Sequence, residues 1–82
     1  MDKLLDKEWR SLAEQALADP TISTMDRMFA RRFFYAGARS ITHILETKLE
    51  PGDDMTERDE ETFRGLEQEL DEFIADVEAG RA

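Results

Sequence analysis

One histidine, twenty carboxylates and a tight group of arginines are the residues of this 82-residue chain that could do chemistry. His43 stands four residues after Arg39 and three before Glu46, so the three share one side of a helix. An imidazole working as a general base needs a pocket and an oriented partner. A polar helical stripe supplies neither, and His43 reads as an exposed residue. A lone histidine in a chain without cysteine cannot build a zinc site from imidazoles and thiolates. Asp53, Asp54 and Glu57, with Asp59, Glu60 and Glu61, would attract divalent cations weakly. That stretch lacks the glycine and the ligand spacing of a calcium-binding loop. No Glu-x-x-His pair of a di-iron bundle, no glycine-rich phosphate loop and no nucleophile motif occurs. The expectation is therefore a chain without metal, cofactor or enzymatic activity.

The arginines admit two readings. Arg27, Arg31, Arg32 and Arg39 are interleaved with Phe34 and Tyr35, a mixture suited to nucleic acid because arginine pairs with phosphate and aromatic rings stack on bases. Charge argues the other way. The chain carries a net −9, and residues 50–82 hold thirteen Asp/Glu against three Lys/Arg, whereas residues 1–49 hold seven against eight. Anionic membranes and direct nucleic-acid contact are disfavoured, and basic partners are favoured. Ion pairs between the arginines and those carboxylates, within one chain or across subunits, are the simpler expectation; such pairs set register and partner choice more than stability. Glu60, Glu67 and Asp71 are the candidate contacts to a basic partner, with Arg32 and Arg39 as the alternative contact surface.

Three helices must position these groups. Leu5, Trp9, Leu12 and Ala16 share one face of a helix over about 2–18, closed by Asp19-Pro20. A second helix over about 24–49 takes Ser23 as N-cap with Asp26 three residues on. The Glu50-Pro51-Gly52-Asp53-Asp54 stretch is a turn by composition. Thr56, as N-cap with Asp59 at the third helical position, opens a third helix over about 57–79, and Gly80 is its stop. In that helix Phe63, Leu66, Leu70, Phe73 and Val77 step by three and four, with Ile74 beside them, and everything around is acidic. In the second helix, Ala30, Phe33, Phe34, Gly37, Ala38, Ile41, Ile44 and Leu45 cover an arc of about 140°, with Phe33 and Phe34 read as core.

The expected architecture is all-α and a single domain: an antiparallel hairpin of the second and third helices with the first packed across it, in the manner of a three-helix bundle. So wide an apolar arc on so small a chain predicts a homodimer, with Phe29, Phe33, Ala36 and Gly37 in its interface. A mid-helix glycine costs about 1 kcal/mol of helix propensity, which close approach of another helix at Ala36-Gly37-Ala38 would explain. No apolar run approaches the ~20 residues of a membrane span, and the first residues are charged. Both features suggest a soluble, cytoplasmic protein.

Arg31-Arg32-Phe33-Phe34-Tyr35-Ala36-Gly37-Ala38, followed by a Pro-Gly-Asp-Asp turn and an acidic amphipathic helix, resembles a group of short uncharacterised proteins of bacteriophages and prophages. The resemblance covers about residues 25–78 and carries no catalytic residue with it. It implies a small accessory protein acting in a bacterial host, in a class that includes inhibitors of host defence and of host regulatory proteins. The expected function is non-enzymatic protein–protein interaction, with a basic or nucleic-acid-binding host protein as target. The alternatives are a structural, homo-oligomeric phage protein without a host target, and a small nucleic-acid or nucleotide binder using the arginines.

Overall fold

A computed structural model describes residues 2–52 and 54–82. Three α-helices account for most of them: α1 (Leu4–Ala16), α2 (Thr24–Lys48) and α3 (Glu57–Glu78), with no strand among the described residues. The chain divides into two compact units, Met1–His43 and Ile44–Ala82, so the boundary falls inside α2.

In the first unit α1 starts without a side-chain cap at Lys3 and closes where the Leu17 N–H donates to the Ala13 carbonyl at 2.9 Å. The link to α2 is organised by Asp19. Its carboxylate accepts from the backbone N–H and the hydroxyl of Thr21, both at 2.8 Å. Those two bonds hold the Asp19 carboxyl below its ordinary value. The guanidinium of Arg27 donates to the Asp19 carbonyl at 3.1 Å. Ser23 then caps α2, its hydroxyl accepting the Asp26 N–H at 3.0 Å. Trp9 holds the unit together. It is the one buried apolar side chain among the described residues, 9% exposed. Its ring lies 5.6 Å from that of half-buried Phe34, which in turn meets Tyr35 edge-on at 5.4 Å. Leu5 and Leu12, which share the helical face of Trp9, stay largely exposed.

The second unit is organised by one carboxylate. Asp59 and Thr56 form a reciprocal capping box at the start of α3: the Thr56 hydroxyl accepts the Asp59 N–H at 3.1 Å and Asp59 Oδ2 accepts the Thr56 N–H at 3.2 Å. The other oxygen, Oδ1, accepts the Glu50 N–H at 2.8 Å, which closes the loop after α2. These backbone donors, Glu50 first and Thr56 second, hold the Asp59 carboxyl below its ordinary value, and the side chain is buried. Gly52, at φ 131°, takes a conformation in that loop that other residues rarely adopt. Arg58 and Glu50 add an exposed ion pair at 3.8 Å. At the far end Gly80 adopts φ 76° and donates to the Val77 carbonyl, while the Arg81 N–H donates to the Asp76 carbonyl at 2.8 Å. This pair of bonds is a Schellman stop, and the Arg81 guanidinium adds a 2.8 Å bond to the Asp76 carboxylate.

Candidate functional site

The polar groups do not converge. No group of three or more His, Cys, Asp or Glu side chains able to hold a metal ion occurs among the described residues. His43 lies exposed on α2. Of the carboxylates that suggested weak cation attraction, Asp59 is committed to backbone donors and Glu60 pairs with Arg64 at 3.6 Å. Asp53 lies outside the described residues. No helix among the described residues is long and apolar enough to cross a membrane.

What the structure does present is apolar surface. Phe33, read from sequence as core, is 74% exposed; its neighbour Phe34 alone turns toward Trp9. The two ring positions lie about 100° apart around a helix, so the side that meets α1 cannot take both. Met25, Phe29 and Phe33 therefore form an uncovered stripe with Ala36 and Gly37, all exposed. A methyl group built on Gly37 would meet nothing within 4 Å among the described residues.

The seam of α3 divides likewise. Phe63 and Leu66 are half-buried, whereas Leu70, Phe73, Ile74 and Val77 are each at least half exposed. Surface area measures what is left open. The chain exposes 7359 Å² for a mass of 9.5 kDa. A compact globule of that mass exposes about 5,000 Å², and two separate globules of half the mass about 6,000 Å². The total exceeds both figures.

Arg31, Arg32 and Arg39 are exposed like the apolar stripes. Arg31 lies over the Tyr35 ring at 5.1 Å and Arg32 over the Phe29 ring at 5.6 Å, both cation–π contacts. Neither they nor Arg27 and Arg39 pair with a carboxylate among the described residues. The ion pairs found there are Asp6–Arg10, Glu50–Arg58, Glu60–Arg64 and Asp76–Arg81, all at the surface. Glu67 and Asp71 are exposed and face a shallow open depression beside Gly65 and Gln68 on α3. Glu60 lies two turns before Glu67 on the same flank.

Sequence reasoning missed the bond from Glu50 to Asp59, the contact that closes the α2–α3 loop. Thr56-x-x-Asp59 announces a cap, but a carboxylate has a second oxygen, and nothing in the spacing says which donor it takes. No family model matches the chain, and no curated protein or solved structure is significantly similar to it.

Proposed function

We propose that this chain is a non-enzymatic protein–protein interaction module that works as a homodimer. The stripe of Phe29, Phe33, Ala36 and Gly37 turns toward a second copy, and association covers the exposed seam of α3. The observation that carries this reading is that one apolar side chain is buried among the described residues while Phe33 and the C-terminal half of the α3 seam stand open. Apolar patches of this kind mark association surfaces. The flank of Glu60, Glu67 and Asp71 lies off the seam and is offered to a basic surface on a partner protein. The resemblance to phage accessory proteins supplies the setting: a bacterial cytoplasm, and a host defence or nucleic-acid-binding protein as the target to be inhibited.

Affinity capture from a bacterial lysate tests the partner half of this reading. Replacing Glu60, Glu67 and Asp71 together with lysine should leave helix content unchanged and lower retention of the captured partner at least about 10-fold, because electrostatic complementarity is replaced by repulsion. Capture by the parent chain should also weaken with salt, since exposed charges are screened within ~8 Å at physiological ionic strength. Equal retention by the lysine variant would reduce the acidic flank to a solubilising surface.

A further inference from the structure

The two open stripes carry opposite charge, and this identifies what covers them. Along residues 24–43 of α2 there are four arginines and one carboxylate, whereas residues 66–78 of α3 hold six carboxylates and no Lys or Arg. Two α3 helices laid together would set like against like, as would two copies of the α2 stripe. An α2 stripe against an α3 stripe sets arginine against carboxylate.

The flanks match in spacing as well. Around α2, Arg32 and Arg39 lie about a quarter-turn to one side of the line through Phe29, Phe33 and Ala36. Around α3, Glu69 and Asp76 lie about a quarter-turn to the same rotational side of the line through Leu70, Phe73 and Val77. Each pair is a seven-residue step, about 10.5 Å along its helix. Like rotational sides meet only when the helices run antiparallel. That direction also sets the negative C-terminal end of α3 beside the positive N-terminal end of α2.

Resting on the dimer reading above, we propose that the dimer is built from reciprocal, antiparallel contacts: the Leu70–Val77 half of the α3 seam of each chain covers the Phe29–Gly37 stripe of α2 in the other. Arg32 faces Asp76 in the partner copy's C-terminal α3 turn and Arg39 faces Glu69 two turns before it. Asp76 exchanges its exposed bond to Arg81 for this contact, a surface pair whose loss costs little. The area agrees. The surface in excess of finished globules is roughly 1,300–2,300 Å² per chain, enough for the ~800 Å² per partner of a standard interface. The flank of Glu60, Glu67 and Asp71 points to the other side of the seam, outside this contact.

A charge-swap mixing experiment on the full chain tests this arrangement. One variant carries Arg32→Glu with Arg39→Glu, the other Glu69→Lys with Asp76→Lys. Alone, each has like charges in both halves of a reciprocal dimer, and its self-association should weaken about 100-fold or more. Mixed in equal amounts, every contact is complementary, and the two-chain mass should return in sedimentation. If either variant loses helix content alone, mixing should restore that as well. A variant that stays dimeric alone, or a mixture that fails to associate while the parent is a dimer, overturns the reciprocal pairing and leaves the dimer reading intact. A parent chain that sediments as a single chain overturns both, including the case in which the two stripes close on each other within one molecule.

Discussion

Leu70→Asp is expected to weaken self-association about 1000-fold or more and to turn a cooperative, concentration-dependent melt into a broad one. Leu70 is 55% exposed in the single chain, so the substitution breaks no contact that would empty a core there. Its effect comes from the assembled state, where the aspartate would lie buried among Phe73, Val77 and the partner's α2 stripe without a counter-charge. Truncating a well-packed apolar anchor of an interface costs about 2–4 kcal/mol, a buried unpaired charge adds to that, and a symmetric dimer carries the change twice. Sedimentation and thermal unfolding at two protein concentrations read the outcome. A variant with the parent's mass and melting temperature would show that Leu70 lies outside any interface.

Trp9→Ala should detach α1. Removing a buried tryptophan costs about 3–5 kcal/mol, comparable to the whole stability that a core of this size supplies. Its loss takes away the ring contact with Phe34 as well as the buried surface. The expected result is loss of the near-ultraviolet signal of the Trp9–Phe34–Tyr35 cluster and of about one helix's worth of far-ultraviolet signal. A variant retaining the parent's helix content would mean that Leu5 and Leu12, rather than Trp9, hold α1 in place. Because α1 meets α2 through Phe34, about 100° around the helix from Phe33, any residual dimer should keep its sensitivity to charge reversal at Arg32 and Arg39.

The helices and their ends were legible in the sequence because the signals are local. Ser23 with Asp26, Thr56 with Asp59, and Gly80 each act within a few residues, and each performs the expected bond or turn. What covers each apolar face was not legible. A helical stripe such as Phe63 to Val77 states that one side must leave water; burial within the chain and burial against a second chain leave the same pattern. This is why Phe33 read as core and is found exposed, and why four residues of the α1 face suggested a broad contact where Trp9 alone is buried. The candidate contact residues fared differently by kind. Glu67, Asp71, Arg32 and Arg39 are exposed, as their positions off the packed faces implied, whereas the Glu60–Arg64 pair and the Arg32–Phe29 stacking depend on rotamers that spacing does not specify.

Sedimentation of the unmodified chain at tens of micromolar is the most direct test of the claim that its open apolar faces are completed by a second copy. A mass of two chains, falling toward one on dilution and on addition of salt, is the predicted result. A single species of 9.5 kDa across that range, with cooperative unfolding independent of concentration, would contradict it.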